Sequence, residues 1–204
     1  MELLSIFVNN LLPVVIIAAT GYVVGRRFQL EAMTFSTLLF YVFSPALVFY
    51  ELYHSEIGGS EFVTLFGLTA VVQTSIGLLS LLVMRWRKVD SLPAAGFIIA
   101  TICFNAGNFG LSLVSFAFEP AVFQRAIVVF VANVVMNYSL GVYFASSGRR
   151  SPWAALQNVL KTPAIYAALI AFIMRSLSLE LPLALDRSIG LMGDVAIPGM
   201  LVLL

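Results

Sequence analysis

The segment CFNAGNFGLS, Cys103 to Ser112, lies in the middle of a 27-residue apolar run, Leu92–Phe118. Asn105, Gly107, Asn108 and Gly110 fall within six positions of one another. A helix crosses the hydrocarbon core of a bilayer in roughly 20 apolar residues, so this run is long enough to span and polar at its centre. Glycine weakens a helix by about 1 kcal/mol relative to alanine, and asparagine amides set in hydrocarbon need partners. Together they predict a span that unwinds where it lines a polar cavity. Unwinding frees backbone N–H and C=O groups, which are tolerated at membrane depth only where protein, water or ligand satisfies them. It also creates a half-helix N-terminus that attracts anions and a half-helix C-terminus that attracts cations. The competing reading is a packing face, with Gly107 and Gly110 admitting a neighbour and the amides bonding across helices. Packing uses the glycines but does not need both asparagines.

The rest of the chain has the composition of a membrane protein. Of 204 residues, 61% are hydrophobic and 10% charged, against about 45–50% and about 25% in soluble domains. Mean hydropathy is +1.01. So few charges cannot coat a globule, which excludes a soluble enzyme and a disordered chain. A net charge of +1 supplies no basic field for phosphates and excludes a nucleic-acid binder. The single cysteine, Cys103, excludes a disulfide scaffold.

Seven apolar segments are expected: Leu3–Val24, Ala32–Tyr50, Phe62–Met84, Leu92–Phe118, Ala126–Ala145, Thr162–Leu179 and Ile189–Leu204. The runs are continuously apolar rather than alternating, which favours helices over a barrel. The first is read as a retained helix, because no Lys or Arg precedes it and Arg26-Arg27 follows it where a cleaved signal would have small residues. Eight of the 11 basic residues fall in alternate loops: Arg26 and Arg27; Arg85, Arg87 and Lys88; Arg149, Arg150 and Lys161. The other loops hold Arg125, Arg175 and Arg187 among acidic residues that include Glu51, Glu56 and Asp186. The positive-inside rule then puts the N-terminus outside and the 148–161 loop in the cytoplasm of a plasma membrane, the bacterial inner membrane.

Markers recur at a nearly constant offset. Asn10 to Pro13 opens the first segment and Arg26 closes it; Asn158 to Pro163 opens the sixth and Arg175 closes it. Pro45 in the second segment has its counterpart in Pro198 of the seventh. The offsets between the prolines and arginines are 150, 149 and 153 residues. Five helices per unit would invert the second copy, as in many secondary transporters that bind substrate where the repeats meet. The expected organisation is a first five-helix repeat over 1–147, a loop over 148–161, and the first two helices of an inverted second repeat over 162–204. The chain then reads as a fragment of a longer ten-helix protein.

The pattern Asn105-x-x-x-x-Gly110-x-Ser112 resembles the broken fourth helix of the auxin efflux carrier family, which includes plant auxin exporters and bacterial malate or malonate permeases. Phe43–Leu47, Leu160–Ala167 and Gly193–Pro198 resemble further segments of that family in the same order, so the resemblance covers essentially the whole chain as the first seven of ten helices. Ser112 stands where the family usually has proline, and Thr162 where it usually has asparagine. The resemblance implies an all-α polytopic membrane protein with an inverted 5+5 repeat, related in fold to the bile-acid sodium symporters and here truncated after helix 7. It implies that helix 4 crosses its repeat partner at the membrane centre with the substrate carboxylate near the crossing, and that Asn105 contacts substrate.

The substrate-binding candidates are Asn105, Gly107, Asn108, Gly110, Ser112 and Pro45, the last because a proline leaves a carbonyl one turn earlier, near Tyr41, without its helical donor. A plain kink is the alternative for Pro45. Asp194, as an intramembrane carboxylate, is a candidate proton or sodium site, or else a water-facing residue near the outer end of helix 7. Asn133 and Asn137, at i and i+4, present two amides on one helical face; they join an ion or substrate cavity or tie helices together, and Gln73 reads the same way. His54 lies beside Glu51 and Glu56 with no second His or Cys near it, and no metal site is read there. Cys103 is read as a small core residue. One His, one Cys and no nucleophile motif supply no catalytic constellation.

The function expected is a secondary carrier of small organic anions, such as dicarboxylates or auxin-like acids, by alternating access. A membrane anion sensor and a channel are the alternatives. A sensor calls for an appended signalling domain, and a channel has no need of an inverted repeat or a midplane break. No cofactor is expected beyond a coupling H+ or Na+. The expected partners are the organic anion and the lipid bilayer, with no nucleic acid, and a homodimer is left open.

Overall fold

The computed structural model describes residues 2–141, 144, 157 and 160–204. Most of the expected loop over 148–161, including Arg149 and Arg150, and the marker at Asn158 lie outside the described residues. A helix lies on each of the seven predicted segments: α1 (Glu2–Phe28), α2 (Ala32–Tyr53), α3 (Gly59–Trp86), α4 (Ser91–Ala117), α5 (Pro120–Gly141), α6 (Pro163–Ser176) and α7 (Leu183–Val202). Among the described residues, α1 to α5 are each long and apolar enough to cross a membrane. α6 has only 14 residues, and α7 carries Asp186, Arg187 and Asp194 within its 20. Large apolar side chains lie open along α3, with Val63, Leu68, Val71, Leu79 and Leu82 all more than half exposed. That is the pattern of a helix solvated by lipid rather than water.

Three of the helices are not uniform. In α2 the residues Leu39–Phe43 form a π-helical turn, with the Ser44 N–H bonded to the Leu39 carbonyl, and a regular helix resumes at Ser44–Tyr53. Pro45 thus enters at the start of a helical segment, where its missing N–H costs least, and the wide turn ahead of it absorbs the register change. In α4 the helix Ser91–Ile102 stops, Cys103 to Asn105 are unwound, and a π-helical turn Ala106–Leu111 leads into Ser112–Ala117. α5 ends in a π-helical turn, Asn137–Gly141.

Contacts divide the chain into two units. The first contains Met1–Ile57, Asn105–Ile127 and Pro163–Leu204. Its core is the second half of α2, where Leu47, Val48 and Leu52 are at most 5% exposed. The buried alanines of α6, namely Ala164, Ala167, Ala168 and Ala171, pack against it. On the α7 side, a Cβ built on Gly193 would stand 3.2 Å from the Leu47 Cα, and one on Gly21 of α1 would overlap the Val202 carbonyl. Small residues let these backbones meet, which is how helices associate when lipid removes the hydrophobic drive. Arg175 ties the end of α6 to the end of α2, donating from Nη1 to the Leu52 carbonyl (3.3 Å), the Ser55 hydroxyl (3.1 Å) and the Ile57 carbonyl (2.9 Å). The Tyr53 hydroxyl donates to the Leu179 carbonyl and accepts from the Leu181 N–H.

The second unit contains Gly58–Phe104 and Val128–Thr162. Here α3 packs on the first half of α4, with a Cβ on Gly77 standing 3.3 Å from the Ile102 side chain. Ser80 and Thr101 share a hydrogen bond of 3.0 Å, and Thr101 also donates to the Ile98 carbonyl.

Candidate functional site

The chain breaks where the sequence puts its polar residues, but a few positions earlier than the glycines. The unwound residues are Cys103 to Asn105, and Gly107, Asn108 and Gly110 lie inside the π-helical turn that follows. The local reason is Asn105. Its backbone (φ −80°, ψ 70°) is non-helical, and its Oδ1 accepts from the Asn108 N–H at 3.1 Å, so it caps the new helix. Asparagine is among the best residues for this role because a short side-chain acceptor reaches an amide otherwise left without an intrahelical partner. The Gly110 N–H bonds to the Asn105 carbonyl at 3.0 Å, an i to i−5 bond that makes the turn wide, and a Cβ on Gly110 would stand 3.3 Å from that same oxygen. The break therefore has a defined polar start.

Asn105 itself is exposed, Gly107, Asn108 and Gly110 are half-buried, and Ser112 is fully buried. Ser112 Oγ donates to the Asn108 carbonyl at 2.8 Å, and Ser115 Oγ donates to the Ser112 carbonyl. A hydroxyl that feeds back into the helix ladder this way holds the segment together from within. Pro45 is not part of this turn; it starts the regular half of α2.

Asp194 lies in the middle of α7, because that helix starts at Leu183 rather than near Ile189, and its side chain is exposed. Glu51, read from sequence as a loop residue, belongs to α2, which runs to Tyr53. The buried Leu52 one residue later was the available signal that the apolar pattern continued past Tyr50. Glu51 is half-buried, accepts a hydrogen bond from the Gln124 side chain, and has His54 and Asp194 as its titratable neighbours. His54 Nδ1 donates to the Tyr50 carbonyl (2.9 Å), while Nε2 stands 3.2 Å from Asp186 Oδ1 and the ring lies against Tyr50 and Tyr53.

Asn133, Asn137 and Gln73 form one network in the second unit. Gln73 Nε2 donates to the Ile102 carbonyl (2.8 Å) and to Asn137 Oδ1 (3.2 Å), and Asn137 Nδ2 donates to Asn133 Oδ1 (3.0 Å). Gln73 is 2% exposed and Asn133 3%. Ile102 is the last residue of the first half of α4, so Gln73 satisfies a carbonyl at the helix end that the break creates. The sequence singled out each amide but not their common partner, a backbone atom of α4. Cys103 is half-buried, with Sγ 3.4 Å from where a Cβ on Gly141 would stand.

No family model matches the chain, and no solved structure matches it. One relative is an uncharacterized transporter of Methanothermobacter thermautotrophicus, 24% identical over 194 residues that make up 93% of this chain. The chain spans 64% of the length of that relative.

Proposed function

We propose that this chain belongs to a secondary carrier that moves small organic anions across a plasma membrane by alternating access, with the α4 break as part of the substrate site. One observation carries the reading: a membrane-length helix unwinds at Cys103 to Asn105 and restarts on an asparagine cap. A restarted helix presents N–H groups and a positive dipole end at membrane depth, the environment that favours a carboxylate. The Asn105 amide can accept from Asn108 through Oδ1 while its NH2 group donates to an anion. Gly107, Asn108, Gly110 and Ser112 shape the same turn. The relative's description as a transporter supports the class of activity.

The reading includes an inverted repeat of the kind found in the auxin efflux carriers and bile-acid sodium symporters. The markers recurring at offsets of 149 to 153 residues support it. The left-handed residues that end α1, α3 and α6, Gln29, Lys88 and Ser178, each followed by a bond back across the last turn, are a common helix ending and do not distinguish the repeat. The reading has the N-terminus outside, supported by the basic residues that follow α1, α3 and α5 in the sequence. Asp194 with its neighbour Glu51 is the proposed site for the coupling H+ or Na+.

The test is uptake into proteoliposomes across a panel of mono- and dicarboxylates, with imposed proton or sodium gradients. Saturable uptake of at least one acid is expected, and Asp194→Asn should abolish gradient-driven accumulation while sparing exchange. Absence of saturable uptake for the whole panel would refute the carrier reading. Unchanged accumulation in Asp194→Asn would refute the coupling role alone.

A further inference from the structure

The amide network of α3 and α5 has a direction. The Ile102 carbonyl can only accept, so the Gln73 group facing it at 2.8 Å must be Nε2. The same Nε2 meets Asn137 at 3.2 Å, so that contact must be Oδ1. Asn137 then offers Nδ2 to Asn133 at 3.0 Å, which fixes Asn133 Oδ1 as the acceptor. Flipping any one amide would set donor against donor or oxygen against oxygen, so one backbone carbonyl orients all three side chains. Two atoms are left over at the ends of this chain, Gln73 Oε1 and Asn133 Nδ2. Both are buried, and neither has a hydrogen-bond partner among the described residues.

An unmet acceptor and an unmet donor on side chains 2% and 3% exposed define the chemistry of what they bind. Water both donates and accepts, so it suits each atom. We propose that Gln73 Oε1 and Asn133 Nδ2 are hydrated by internal water within the membrane-spanning region, water donating to the first and accepting from the second. Buried waters occur where otherwise unsatisfied polar groups offer such partners, and a bridging water is nearly as good as a direct bond. The site hydrates the face of α3 and α5 that holds the end of the first half of α4, so the carbonyl at the break is satisfied by a wet polar network rather than a dry packing face. It does not depend on the carrier reading.

The test uses the uniformly 15N-labelled protein in lipid bilayers, with the Asn133 and Gln73 side-chain signals assigned by substitution, and follows magnetisation transfer from water in solid-state NMR. Transfer to the Asn133 and Gln73 side-chain amides is expected to build up several-fold faster than to the backbone amides of the buried neighbours Val128 and Ala132. Equal, slow build-up at all four positions would overturn the proposal. So would density from an experimental structure at a resolution that shows waters, if Gln73 Oε1 and Asn133 Nδ2 both met protein groups; density for water at 2.7–3.2 Å from them would support it.

Discussion

One substitution can separate the capping role of Asn105 from its proposed role in binding the anion. Its Oδ1 caps the helix that restarts in α4, accepting from the Asn108 N–H at 3.1 Å, and its NH2 group is proposed to donate to the substrate anion. Asn105→Asp keeps an acceptor in the capping position, and aspartate caps about as well as asparagine. The folded state should therefore change little. The donor is gone, however, and a negative charge faces the anion. Loss of a hydrogen bond to a charged group is worth about 1.5–3 kcal/mol, which at about 1.4 kcal/mol per tenfold is on the order of 10- to 100-fold in affinity, before any repulsion. Asn105→Leu removes both roles. It should weaken binding by a similar factor and also cost the cap, about 0.5–2 kcal/mol, without preventing membrane insertion. The assay is calorimetric binding of the transported acid to purified variants in nanodiscs, with thermal unfolding in parallel. If Asn105→Asp binds like the unsubstituted protein, the anion does not meet Asn105, and the break is a capping device alone.

Three further outcomes are expected. Gly21→Ala should destabilise the protein by about 1–3 kcal/mol, because a Cβ there would overlap the Val202 carbonyl, whereas Gly25→Ala one turn on has nothing within 4 Å and should be neutral or mildly stabilising; unfolding midpoints in detergent compare the two, and equal effects would contradict the close approach of α1 and α7. Arg175→Leu strips three acceptors of their shared donor and should cost at least about 2 kcal/mol, with Arg175→Lys recovering part of it; a midpoint unchanged by Arg175→Leu would show that the tie contributes nothing. On a Cys103→Ser background, an impermeant thiol reagent added to whole cells should label Glu56→Cys and spare Arg150→Cys, and the reverse pattern would overturn the proposed orientation.

The seven segments, the break in the fourth and the interruption at Pro45 are legible in the sequence because each depends on residues near one another along the chain. Span length follows from the unbroken apolar run, and the restart of α4 follows from an asparagine three residues ahead of an amide it can reach. Element boundaries depend on contacts beyond the local sequence. The break lies at Cys103 to Asn105 rather than across the glycines, because asparagine as a cap ends the unwound stretch and the glycines are then taken up in a wide helical turn. α2 keeps Glu51 because Leu52 and Tyr53 still have partners in the fold.

What only the tertiary structure decided is which groups meet. Gln73, Asn137 and Asn133 are visible as amides in apolar runs, but their orientation is set by the carbonyl of Ile102, 29 residues from Gln73. Arg175 looks like a basic residue closing a helix, yet its partners are the Leu52 and Ile57 carbonyls and Ser55, 118 to 123 residues away. Gly21 and Gly25 are equivalent in sequence, and only the position of Val202 leaves one of them no room for a Cβ. Composition and spacing fix what each segment can do alone in a bilayer. Inside lipid, where apolar burial does not choose between faces, the pairing of helices is chosen by backbone approach and by the few polar groups that must find each other.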